Sequence, residues 1–178
     1  MAITNLNEKF THELRDIYDA EHQFLEGMQL MLQNAADPKL QNMITTHISQ
    51  TQQQIRNLEQ VFNLLGQAAR RETCAGAKGI LTEGQKVMKE TSQVPAIRDS
   101  CIAGAADKVE HYEIATYRGL IQGAQLMNQP EILRLLQENL RQEEQTAQLI
   151  EQSSPQLLEK AAQAQYAGGD HMSQISAP

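Results

Sequence analysis

The sequence predicts an all-α bundle, and three features point to it. Residues that favour helix dominate, with Gln alone contributing 24 of 178 positions beside abundant Ala, Leu, Glu, Met and Lys. Aromatic residues, which favour sheet, number only seven, and Trp is absent. Apolar residues recur at spacings of three and four over stretches too long for strands, and prolines punctuate them. At 19.9 kDa the chain suits one domain, long enough to bury a core without disulfide or metal staples.

The first helix is predicted from about Thr4 to Ala35, with Leu6, Phe10, Leu14, Ile17, Phe24, Leu25, Met28 and Leu32 on one face. Asp37-Pro38 stops it and restarts the chain: Asp37 can cap, and Pro38 suits a first turn where its missing N–H is no loss. The second helix runs through Leu40, Ile44, Ile48, Ile55, Leu58, Phe62 and Leu65 to Gly66. So short a connection makes the pair antiparallel. Weaker periodicity from about Ala75 to Thr91 reads as a crossover helix. Val94-Pro95 opens a long third bundle helix through Ile102, Val109, Ile114, Tyr117 and Ile121, which ends before Asn128-Gln129-Pro130. The fourth carries Ile132, Leu133, Leu136, Leu140, Ala147 and Ile150, and Ser153-Ser154-Pro155 is predicted to end it and cap a short last helix from about Gln156 to Gln165. The domain is thus read as residues 1–165, with a flexible tail over 166–178. Two hairpins joined by one long crossover are the connectivity of ferritin-like bundles, although other four-helix proteins share the order.

A net charge of −7 and a pI near 5.2 argue against nucleic-acid and membrane-surface partners. No apolar run approaches the roughly 20 residues of a membrane span, and MAITNLNEKF lacks the features of a signal peptide, so a cytoplasmic location is expected. Cys74 and Cys101 show no CxxC spacing and read as a buried pair of thiols. No G-x-S-x-G, phosphate loop or zinc spacing occurs, and no organic cofactor is implied.

Carboxylates interrupt three of the apolar seams. Glu21 falls between Ile17 and Phe24, Glu110 and Glu113 between Val109 and Ile114, and Glu143 between Leu140 and Ala147. Buried carboxylates need protons, cationic partners or metal ions. The halves also echo one another, Ala20-Glu21-His22 resembling Val109-Glu110-His111 at an offset of 89 residues, and the helix-opening Pro38 and Pro130 lying 92 apart. A pseudo-twofold bundle would bring these carboxylates to one depth, the arrangement of a di-metal carboxylate site suited to iron or manganese. The other reading keeps each Glu at the edge of its seam or paired with Arg or His. His47 lies on its helix's seam and is better placed as a ligand than His22 or His111, which point away from the neighbouring Glu. Tyr18 and Tyr117 read as core residues.

The stretch Tyr18-Asp19-Ala20-Glu21-His22-Gln23, the block Lys108-Val109-Glu110-His111-Tyr112-Glu113-Ile114-Ala115-Thr116-Tyr117 and the run from Leu135 to Thr146 resemble the YciE/YciF family of bacterial ferritin-like proteins, roughly from Asn5 to Leu158. The resemblance implies a dimeric ferritin-like bundle associated with stress response, a rubrerythrin-like metal site and no established reaction. Glu21 and Glu110 match the family's single-Glu helices, and Glu143 lies in its acidic run. Relatives carry a His-Leu-Glu-Glu-Thr run on the second helix, where this chain reads His47-Ile48-Ser49-Gln50-Thr51, so Gln50 stands where a bridging carboxylate is expected and is predicted to face the other four. No Glu-x-x-His occurs anywhere. Two functions follow as expectations: a weakened iron or manganese site at Glu21, Glu110, Glu113 and Glu143 that handles metal or peroxide, or a metal-free dimerisation or partner-binding module whose site has decayed. A twofold homodimer is expected in either case, since pairing would add apolar burial to a modest core.

Overall fold

Three of the five helices open on proline, and these prolines set the layout. The computed structural model describes residues 2–169, which form α1 (Leu6–Asn34), α2 (Pro38–Leu64), α3 (Ala75–Glu90), α4 (Pro95–Leu126) and α5 (Pro130–Gly169), with no strand among the described residues. Asn5 caps α1 by accepting from the Glu8 N–H at 3.0 Å, and the Glu8 carboxylate accepts from the Thr4 N–H at 2.8 Å. Asp37 caps α2 through the N–H groups of Lys39 and Leu40. The α1–α2 turn is also clamped from outside the hairpin: the buried Asp99 of α4 accepts from the Ala36 and Asp37 N–H groups at 2.8 Å each.

Helices α1, α2, α5 and α4 pack in a ring, each on the next, while α3 lies across α1 and α4. The segment entering α3 is tied to α1 by Asp19, which accepts from the Cys74 N–H at 2.8 Å and from Arg71 Nε at 2.7 Å. Gly27 of α1 faces the Leu81 side chain of α3, which would have to shift if position 27 carried a Cβ.

The core is split in two. One apolar cluster holds Phe10, Phe24, Leu58, Phe62, Tyr117 and Leu136, and the other holds Met28, Leu40, Ile44, Ile102, Ile150 and Leu157. A layer of buried polar residues interrupts this packing: Thr51 and Gln54 of α2, Glu110 and Glu113 of α4, and Asn139 and Glu143 of α5. Helical periodicity carries each seam through this layer, so each helix is apolar above and below it and polar within it.

Two expectations are corrected. Pro155 does not divide the last segment into two helices; α5 continues through it. Proline removes one N–H and crowds the preceding turn, but Leu157 beyond it is buried in the second cluster, Gln156 accepts from Lys39 Nζ at 3.2 Å, and Lys160 pairs with Asp37. This tertiary packing outweighs the local break. The helix reaches Gly169, and residues 170–178 of the expected tail lie outside the described residues. Cys74 is a buried free thiol as expected, but Cys101 is only half-buried.

Candidate metal centre

Four helices contribute to the polar layer, and three of them carry its ionisable groups to within metal-binding reach of one another. One ligand atom from each of His47 (α2), Glu110 and Glu113 (α4) and Glu143 (α5) lies within 4.8 Å of all the others. Ligands on opposite sides of a first-row divalent ion lie roughly 4.0–4.4 Å apart, so these separations are of the order that a single ion spans. His47 Nε2 stands 3.1 Å from Glu110 Oε1 and 3.6 Å from Glu143 Oε2, and none of the four residues is more than 4% exposed.

The unpaired atoms are the decisive feature. Glu21 Oε2, Glu110 Oε2 and Glu113 Oε2 are buried without a hydrogen bond, and His47 Nε2 and the oxygens of Glu143 have only the other polar residues of the layer beside them. Each such group loses hydration without compensation, at roughly 1–3 kcal/mol or more where charged. The carboxyl groups respond by holding their protons. Burial pushes Glu110 up to about 8, against a hydrogen bond with Glu143 that lowers it, and the charges of Glu21 and Asp107 add to the rise. Burial likewise holds Glu21, Glu113 and Glu143 well above the usual carboxylate range. The charge of Glu143 adds to this at Glu21 and Glu113, whereas at Glu143 itself His47 pulls the other way.

Glu21 joins from α1 but is held differently. Tyr117 donates a hydrogen bond to its Oε1, Asn139 Nδ2 donates to Tyr117 Oη at 2.9 Å, and Asn57 Nδ2 donates to Asn139 Oδ1 at 2.7 Å. Tyr117 is thus a core residue, as the sequence suggested, and also a partner of the site. Tyr18 is a core residue whose hydroxyl donates to Glu59 at 3.1 Å.

The structure brings Glu21, Glu110, Glu113 and Glu143 into one layer, and it corrects the place of Gln50. That side chain is half-buried behind His47, its Oε1 3.3 Å from His47 Nδ1 and 3.4 Å from Thr146 Oγ1, on the side of the ring away from the carboxylates. The reason is helical phase: the buried face of α2 continues from His47 to Thr51 and Gln54, and position 50 falls on its edge. Gln54 was missed by the sequence reading. It is fully buried and lies against Glu143, where its amide favours the ionised carboxylate. His22 is half-buried edge-on against Tyr18, and His111 is exposed beside Asp107 and Glu151, so neither enters the layer.

Residues 5–163 match the family described as a domain of unknown function, DUF892. The chain belongs to this family. A relative is Protein YciF of Escherichia coli (strain K12), 30% identical over 147 residues that cover 82% of this chain and 88% of the relative. The crystal structure of the E. coli stress protein YciF matches with a TM-score of 0.83 at 28% identity, covering 89% of this chain and 99% of that one. YcfI from Rhodopseudomonas palustris matches with a TM-score of 0.79 at 34% identity, covering 84% and 94%. A structure from Xanthomonas campestris pv. campestris, at 20% identity and a TM-score of 0.73, shares the fold over 91% of this chain and 99% of its own. The family resemblance read from the sequence, and the all-helical fold it implied, therefore hold.

Proposed function

We propose that this protein is a stress-associated helical bundle that binds one divalent ion, iron or manganese, at His47, Glu110, Glu113 and Glu143, and that it handles metal or peroxide as a homodimer. The observation that carries this reading is the convergence of Nε2 of His47 and carboxylate oxygens of Glu110, Glu113 and Glu143 in one buried layer, where they have little but one another for partners. An ion would satisfy them together, and a donor set of carboxylate oxygens with one imidazole suits iron or manganese. Bound there, the ion supplies a Lewis-acidic or redox-active centre. Glu21 sits on the far side, hydrogen-bonded by Tyr117, and Gln54 offers an oxygen without charge, so a second ion would have too little negative charge around it.

The test is equilibrium binding of Fe2+ (anaerobically) and Mn2+ to chelator-treated protein, with Glu110→Gln and Glu143→Gln as variants. One ion per chain, with affinity lost in both variants, supports the reading. No uptake by the wild type overturns it. That outcome would favour the second reading, a metal-free partner-binding module, which draws on the neutral Thr51 and Gln54 that α2 presents to the layer.

A further inference from the structure

Two of the eight arginines stand apart from the rest. Arg56, Arg71, Arg98, Arg118, Arg134 and Arg141 each donate a side-chain hydrogen bond or form an ion pair. Arg15 and Arg70 do neither with any described residue, and both line one groove of about 620 Å³ between the start of α1 and the segment entering α3. The Glu72 N–H donates to the Arg15 carbonyl at 3.5 Å, which ties that segment to α1 two residues from Arg70.

The two carboxylates of the groove are already engaged. Glu8 accepts from the Thr4 N–H at 2.8 Å and from Thr4 Oγ1 at 2.9 Å, and Glu72 lies 3.6 Å from His12 Nδ1. The groove therefore carries two guanidinium groups without a counter-ion, in a chain whose net charge is −7. Arg15 is half-buried, with its Nε out of water and without an acceptor, so its charge is under-hydrated as well as unneutralised. Gln67 of the same groove donates to Thr11 Oγ1 at 3.2 Å, and its Oε1 is buried with no donor.

We propose that this groove binds the phosphate monoester of a polyhydroxylated compound, a sugar phosphate, with Arg15 and Arg70 holding the phosphate. A phosphate monoester carries roughly −1.5 to −2 at neutral pH and three acceptor oxygens, which two guanidinium groups match; a single carboxylate would leave one of them over. Asn7, Thr11 and Gln67 offer amide and hydroxyl groups to the hydroxyls of the organic part. No Phe, Tyr or Trp among the described residues lines the groove, so a nucleobase would find no ring to stack on. The volume suits a metabolite of this size. The groove shares no residue with the polar layer, so this assignment and the metal reading fail separately.

The test is calorimetric titration of metal-free full-length protein with glucose 6-phosphate, glucose, inorganic phosphate and adenosine monophosphate, with 15N NMR to locate binding. Glucose 6-phosphate should saturate and shift the amides of Thr11, Arg15, Gln67 and Arg70. Inorganic phosphate and adenosine monophosphate should bind more weakly, and glucose should give no heat. Arg15→Gln and Arg70→Gln should each weaken glucose 6-phosphate about tenfold or more, the loss of one charge-assisted contact. Arg56→Gln, on the exposed face of α2, should change nothing. Should Arg15→Gln fail to fold, Arg70→Gln decides alone, because Arg70 is exposed. No saturable binding of glucose 6-phosphate, no loss in Arg70→Gln, or an equal loss in Arg56→Gln overturns the site. Equal binding of inorganic phosphate, or tighter binding of adenosine monophosphate, overturns the ligand class.

Discussion

Acidity should stabilise the metal-free protein, contrary to the usual behaviour of acidic chains. Four carboxyl groups, Glu21, Glu110, Glu113 and Glu143, have folded pKa values above those of the unfolded chain, Glu110 reaching about 8. Such groups contribute stability in full below the unfolded value, and lose it as pH rises through the folded one. Between pH 5.5 and 7.5 the unfolded chain has released these protons and the folded chain has not. Each retained proton then makes stability fall by about 1.4 kcal/mol per pH unit. One proton alone gives about 2.7 kcal/mol over the interval, or a fall in Tm of roughly 5–11 °C for a domain of this size. Asp37 and Asp19 act in the opposite direction. The Lys160 hydrogen bond holds Asp37 below its usual range, and at Asp19 the bonds from Cys74, Gln23 and Arg71 together outweigh desolvation, the largest single cause. Their contribution is lost only as pH falls through the low carboxylate range, outside this window, whereas His22, held low by burial, opposes the fall within it and offsets part of one proton's effect. The assay is thermal melting followed by circular dichroism in chelator at constant ionic strength. A Tm that is flat or rises from pH 5.5 to 7.5 would refute the protonated layer.

Adding Mn2+ or anaerobic Fe2+ should reverse the slope, because protons compete with the ion for the same oxygens; at a hundredfold excess over Kd the gain is about 2.7 kcal/mol, and melting across the same pH range with and without ion measures it. Gln50→Glu should strengthen binding about tenfold by acting through His47, since a carboxylate behind a ligating imidazole fixes its orientation; titration calorimetry against wild type checks this, and the carboxylate-facing placement of Gln50 would instead demand a new direct ligand. Tyr117→Phe removes the donor to Glu21 and the acceptor for Asn139, at a cost of roughly 1–3 kcal/mol in urea unfolding. Light scattering should give a dimer at micromolar concentration, and a mass near that of one 19.9 kDa chain would count against it.

The fold was legible because its punctuation is local. Pro38, Pro95 and Pro130 each sit at the first turn of a helix, and the apolar seams between them keep one phase for seven turns or more. The last helix was misread for the converse reason: the signal at Ser153-Ser154-Pro155 is local, whereas what overrides it, Leu157 in the second core cluster and Lys160 on Asp37, is tertiary. The carboxylates were legible because a Glu inside an apolar seam is conspicuous. Gln54 was not, since in a chain with 24 glutamines one more reads as surface.

A signal that does locate the α2 contribution is the internal repeat. Shifted by the 92 residues that separate Pro38 from Pro130, Glu143 falls on Thr51, Asn139 on His47 and Thr146 on Gln54, and all six are buried in the same layer. The halves therefore share a scaffold and differ in chemistry. Around Glu110 the layer offers the ionisable His47, Glu113 and Glu143; around Glu21 it offers the neutral Tyr117, with Asn139 and Asn57 hydrogen-bonded behind it. Neutral hydrogen-bonding groups stabilise a buried carboxyl group without a cation, whereas clustered carboxylates do not stabilise one another. If the proposed ion binds, it would complete the Glu110 side, whereas Glu21 already accepts from Tyr117 through one of its two oxygens, and this asymmetry is why one ion per chain is the expected stoichiometry.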